Sequence, residues 1–274
     1  MTRRLTKTPG YRFSKEVHVF KTLPPALLSA ALIALAGCQA SASTDTQAAA
    51  DAQAFKTFTV EMQRALERSI ALAPTGEQLG AVTLQVTFDR HSAPVACKAS
   101  KAPFKYGALL PADVMPSDHQ ALANLVEALC WKTIYPVVPA SLFGGEATLD
   151  VRAPIIVQLP ASIQAPGSAR QRANAQREYF WQQLLRDQPV TSIGKATVFY
   201  QANAQGKVEG CLVQLSPTRL REAAFRLDGN LQAQLNSRCM KLDLSTMPGF
   251  STNEQGTAEG YSELDYAPWK VGRQ

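Results

Sequence analysis

The sequence predicts an α+β protein built from two tandem α-β-β-α-β units, each a small antiparallel sheet packed on helices. Three observations predict it. Residues recur at a separation of 114: Gly80 with Gly194, Thr83 with Thr197, Cys97 with Cys211, Ala153 with Ala267, Pro154 with Pro268 and Val157 with Val271. Each half contains a stretch of strict apolar–polar alternation, flanked by stretches whose apolar residues fall three and four apart. Each half also holds two cysteines, and Cys130 lies five residues off Cys239 at that separation, as a loop difference compensated within the repeat would produce.

Residues 55–160 form the first repeat on this reading and residues 169–274 the second. The first opens with Phe58, Met62, Leu66 and Ile70, one helical turn apart. The second opens with Phe180, Trp181, Leu184 and Leu185 after a polar run from Arg170. A strand follows in each. Val82, Leu84, Val86 and Phe88 face one way and Thr83, Gln85, Thr87 and Asp89 the other; Ala196, Val198, Tyr200 and Ala202 repeat the pattern. Asp89-Arg90-His91-Ser92 and Asn203-Ala204-Gln205-Gly206 read as hairpin turns. A second strand carries Cys97 or Cys211. The next helix carries Cys130 or Cys239, with an apolar face of Leu122, Leu125, Val126 and Leu129 in one half and Leu231 and Leu235 in the other. Closing strands are expected through 147–157 and 260–271.

Ahead of the repeats, Arg3, Arg4, Lys7, Arg12, Lys15 and Lys21 precede an apolar run whose core is 26–35, ending in Leu35-Ala36-Gly37-Cys38. This layout is that of a secretory signal. Its end resembles the lipobox of bacterial lipoproteins, which implies cleavage after residue 37, a lipid on Cys38 and attachment to a membrane. A spanning helix is the alternative, but it needs about 20 apolar residues, and this run is shorter and begins at Pro24-Pro25. Gln39-Ala40-Ser41 lack the aspartate that resembles an inner-membrane retention signal, which points to the outer membrane, facing the periplasm. Residues 38–54, small and polar, are expected to form the lipidated cysteine and a flexible tether. Removing residues 1–37 leaves 22 basic against 21 acidic groups. The mature chain therefore lacks the concentrated positive charge of a nucleic-acid surface.

An even set of four cysteines in an oxidising compartment suggests two disulfides, with three possible pairings. One cysteine on a strand and one on a helix in each half selects Cys97 with Cys130 and Cys211 with Cys239. Buried free thiols are the alternative. A zinc site lacks histidines at a fitting spacing, and no metal or other cofactor is expected.

Gly206-Lys207-Val208-Glu209-Gly210-Cys211-Leu212-Val213, following Val198-Phe199-Tyr200-Gln201-Ala202-Asn203, resembles the hairpin of the C-terminal domain of TonB-family proteins. Arg238-Cys239 fits the disulfide-containing variants of that domain, and Tyr266-Ala267-Pro268-Trp269 falls where the family's closing strand lies. Val86-Thr87-Phe88-Asp89 and Tyr135-Pro136-Val137-Val138-Pro139 resemble it more loosely. The resemblance implies a non-enzymatic binding module that captures protein partners of the envelope by strand addition, with Tyr261, Ser262, Leu264, Tyr266 and Trp269 at the receiving edge. The long proline-rich spacer of an energy transducer is missing. A structural or assembly role in an envelope complex is the second reading.

Catalytic residues are not expected. His91 and His119 fall in a turn and at a helix start. Ser192-Ile193-Gly194-Lys195 matches S-x-x-K without that motif's companions. Asp150 and Asp265 read as solvent-facing strand residues.

Overall fold

A computed structural model describes residues 41–73, 78–108, 110, 115–157 and 168–271, with side chains from residue 47 onward. Residues 1–37 and Cys38 lie outside that set. The chain is α+β: two tandem units, each with a three-stranded antiparallel sheet packed against helices. In the first, α1 (Ser41–Leu72) leads to β1 (Gly80–Asp89), β2 (Pro94–Lys101), a short α2 (Phe104–Gly107), α3 (His119–Lys132) and β3 (Thr148–Val157). In the second, α4 (Ala169–Phe180) leads to β4 (Gly194–Ala202), β5 (Val208–Ser216), α5 (Gly229–Cys239) and β6 (Ala258–Tyr266). The sheet orders are β2-β1-β3 and β5-β4-β6, so the first strand is central and the closing strand forms an edge.

The alternation read from the sequence is the burial pattern. Val82, Leu84, Val86 and Phe88 lie in one core with Phe58, Met62, Leu66 and Ile70 of α1; Ala196, Val198 and Ala202 lie in the other with Phe180, Leu184 and Leu185. Both disulfides join the expected partners, Cys97 with Cys130 and Cys211 with Cys239, at Cα separations of 6.1 and 6.0 Å. Each clips a helix to the second strand of its own sheet. Gly80 and Gly194 open the two central strands because large side chains cross there. A Cβ at Gly194 would collide with the Tyr266 ring, and one at Gly80 would come within 2.7 Å of Leu122.

The repeat goes deeper than the cysteines. A β-bulge sits between Thr87 and Phe88, and again between Gln201 and Ala202. Glu127 accepts from the Ala99 N–H, and Asn236, the corresponding residue three before the helix cysteine, accepts from the Val213 N–H. The closing strands correct the sequence reading. Gly80 pairs with Val157 and Gly194 with Tyr266, so Val157 corresponds to Tyr266 and not to Val271. The separation drops from 114 to 109 within the disulfide loop and stays there. The chain after Tyr266 is a turn, in which the Lys270 N–H donates to the Ala267 carbonyl.

The expected flexible tether is also corrected. From Ser41 the chain is helical, continuous with the segment that packs on β1. Small size denies these residues a core but not a helix. Alanine has the highest helix propensity, and residues 39–72 contain neither glycine nor proline. The Gln47 amide donates to Asp51 one turn on, at 3.0 Å. No helix among the described residues is long and apolar enough to cross a membrane.

The two halves dock. Ile134 and Ala93 of the first meet Ile193, Ala224, Ala267 and Trp269 of the second in a small apolar cluster. Arg221, buried between the halves, donates to the carbonyls of His91 (2.8 Å), Ser92 (3.1 Å) and Tyr135 (3.5 Å). Its guanidinium lies 5.7 Å from the Trp269 ring centre, and Trp269 Nε1 donates to the Thr133 carbonyl at 3.2 Å. Arg170 and Asn174 of α4 both donate to the Ala71 carbonyl at the end of α1. Burial pulls the Arg221 pKa down, and Asp89 opposes that shift.

Candidate functional site

An edge strand exposes the N–H and C=O groups of alternate residues, and which residues these are follows from pairing. Val213 gives its N–H to Asn236, so it turns away from β4. Its partner Val198 therefore turns toward β6, where it faces Ser262. Ser262, Leu264 and Tyr266 thus bond to β4, while Tyr261, Glu263 and Asp265 direct their main-chain groups outward. The Lys270 ammonium agrees, because it donates to the Asp265 carbonyl from the outer side.

This geometry sorts the residues nominated from the sequence. Tyr261 is on the exposed face, at 69% exposure, beside Phe199 and, one strand further, Leu212. Ser262, Leu264 and Tyr266 are buried and spend their main-chain groups within the sheet. They are not receiving groups, because their N–H and C=O already point to β4. Trp269 is not an exposed anchor: it is 7% exposed and occupied by the inter-half contact. The residue missed is Glu263, whose main chain faces outward midway along the edge.

Each of the other three edges is blocked at one outward position. Glu127 occupies one outward N–H of β2, that of Ala99, and Asn236 one of β5, that of Val213. On β3 one outward position is Pro154, which has no N–H to offer. At the separation of 109, Pro154 corresponds to Glu263. At this one position β6 therefore keeps a donor that β3 lacks.

Space lies beside that donor. A cleft of about 530 Å³ between the halves touches Glu263, Leu264 and Asp265 in succession. Successive side chains of a strand point to opposite faces, so a cavity that meets three in a row reaches the strand from its side. A second cavity of about 340 Å³ touches Ala258, Glu259, Gly260 and Tyr261 and reaches the same edge further back. The far wall of the larger cleft is apolar, formed by Ala65 and Leu72 of α1 and Leu125 and Leu129 of α3. On the near side a single π-helical turn, Trp181–Leu185, follows α4 and presents Trp181 to the cleft.

The cleft is lined by Arg68, Lys132, Arg177, Lys195, Arg219 and Lys270 against Glu178, Glu263 and Asp265. Lys132 pairs with Glu178 at 3.2 Å and Lys195 with Glu263 at 3.1 Å. Burial lowers the Arg177 pKa, with Asp265 and Glu263 opposing. Burial also brings the Lys270 ammonium down to about 8, with Asp265 opposing; its Nζ stands 4.8 Å from the Trp181 ring centre.

The remaining sequence candidates do not assemble a site. His91 lies in the β1–β2 turn and His119 begins α3, both exposed. Ser192 donates to the Arg226 carbonyl, away from the ion-paired Lys195. Asp150 accepts from Thr87 and Gln85 on the first sheet, whereas Asp265 is on the second. Among the described residues no group of three His, Cys, Asp or Glu side chains gathers to hold a metal ion. No family model, curated protein or solved structure matches this chain.

Proposed function

We propose that this protein is a non-enzymatic, periplasm-facing lipoprotein of the outer membrane. On this reading it captures an extended segment of another envelope protein by adding it as a strand beside β6. The observation that carries the reading is the outward main chain of Tyr261 and Glu263, bordered by open space, where the first repeat has Pro154 in place of Glu263. Strand addition draws its affinity from main-chain hydrogen bonds, so it needs free groups and room, and both are present. Eight residues from Ala258 to Asp265 would offer an edge of roughly 26 Å at about 3.3 Å per residue.

Glu263→Pro tests the reading. It removes an outward donor and leaves the bonds to β4 in place, and the first repeat carries proline at the same position. With a photo-crosslinking residue at Arg219 in the native envelope, the parent chain should give a discrete adduct, and Glu263→Pro should lose at least about 90% of it, roughly a tenfold change. Circular dichroism should stay unchanged, and the melting temperature should fall only slightly, through loss of the part-exposed Lys195–Glu263 pair. A folded Glu263→Pro chain that still gives the full adduct would rule out this edge.

The docking of the halves through Arg221 and Trp269 favours a second reading. In it the pair acts as one rigid building block of an envelope complex, and the cleft is only the seam between the units.

A further inference from the structure

We infer that the segment taken up beside β6 is acidic at the end lying against Glu263–Asp265 and uncharged or apolar at the end lying against Tyr261. The inference rests on the strand-addition reading and adds the chemistry of the partner to it. Six cationic side chains line the larger cleft and three carboxylates answer them. Lys132 and Lys195 are ion-paired there, and Arg177 is balanced by Asp265. Lys270 donates a hydrogen bond to the Asp265 main-chain carbonyl and faces the Trp181 ring. Arg68 and Arg219 are exposed and, among the described residues, make no ion pair or hydrogen bond. Three positive groups therefore face the cleft without a carboxylate in contact.

The other end of the edge has the opposite character. The smaller cavity is lined by no Lys or Arg and includes the carboxylate of Glu259. Beside it Tyr261, Phe199 and Leu212 form an apolar row across the outer face of all three strands. A strand added next to β6 extends that row by one side chain, and a cross-strand apolar neighbour there is favourable. Four residues along, on the same face, its side chain comes beside Asp265, whose carboxylate is balanced by Arg177, and borders the cleft that Arg68, Arg219 and Lys270 also line. A carboxylate is favoured there and an ammonium disfavoured.

A displayed library of random 12-residue peptides, panned against the mature chain, provides the test. Peptides selected by the parent chain should concentrate Asp and Glu at one end and apolar residues toward the other. Replacing those acids with Asn and Gln should weaken a selected peptide by roughly tenfold or more at low salt. An Arg68→Glu, Arg219→Glu chain, altered only at exposed positions, should select basic peptides instead. Glu263→Pro should select none. If the parent pool shows no acidic bias, or the double variant selects the same pool while Glu263→Pro still abolishes capture, the acidic partner is wrong and strand addition stands. Failure to select any peptide, or binders indifferent to Glu263→Pro, would overturn both.

Discussion

At the scale of single residues, the closing strand shows what its sequence disclosed. Alternation alone places Ser262, Leu264 and Tyr266 on one face and Tyr261, Glu263 and Asp265 on the other, and the structure keeps that division. Which set faces the core, and which main-chain groups face outward, depends on β4 and on Asn236 across the sheet. Trp269 is buried by residues more than a hundred positions away, a contact no local pattern encodes. Glu263 had a sequence signal, in that Pro154 stands at its position in the first repeat. That signal emerges only if the separation between Cys130 and Cys239 is carried on into the closing strand. Lys270 yields a prediction here. Its folded pKa of about 8 lies below the usual 10.5, so between those values the unfolded chain holds a proton that the folded chain has released. The stability it contributes is lowest below pH 8 and rises through pH 8 to 10.5. The melting-temperature difference between the parent and Lys270→Met should shift in favour of the parent over that window. A difference that stays flat would refute the buried ammonium.

At the scale of elements, the helices and strands of the repeats were legible because each carries its period. The opening segment was not. Residues 41–54 have no apolar periodicity, and their helix rests on alanine propensity and on continuity with the amphipathic stretch from Phe58. The π-helical turn at Trp181–Leu185 has no pattern of its own; it shows only once Phe180, Leu184 and Leu185 must share a core. The change of segment at Cys38 carries a test of anchoring. Cys38→Ser should leave a precursor retaining residues 1–37, heavier by the leader and lacking lipid, as intact-mass spectrometry would show. A processed chain of the parent's mass, still in the membrane fraction, would refute the lipid anchor.

At the scale of the whole molecule, the tandem plan was legible in the paired cysteines, whereas the docking was not. Arg221 sits in a loop that reads as surface from its polar neighbours, yet it is 7% exposed and bound to three carbonyls. Arg221→Ala should cost about 2–4 kcal/mol at the contact, because it removes charge-assisted hydrogen bonds and leaves acceptors unsatisfied. Hydrogen exchange should quicken around residues 91–92 and 133–135 while the strands of both halves stay protected. Uniform protection in the variant would show that Arg221 holds nothing together.

Among the described residues, every hydrogen bond from the second half described at this contact, whether from Arg170, Asn174, Arg221 or Trp269, ends on a main-chain carbonyl of the first half. A carbonyl is present whatever side chain its residue bears. The hydrogen bonds that the second half donates across the contact therefore ask nothing of the first half's side chains, whose own share is Ile134, Ala93 and the Lys132–Glu178 pair. A mutational scan should find the contact tolerant at the exposed His91 and intolerant at Arg221 and Trp269. A first half that kept Ile134, Ala93 and Lys132 on the same backbone path would still be accepted, so the rest of the front repeat's docking face is free to diverge while the rear one holds the pair together.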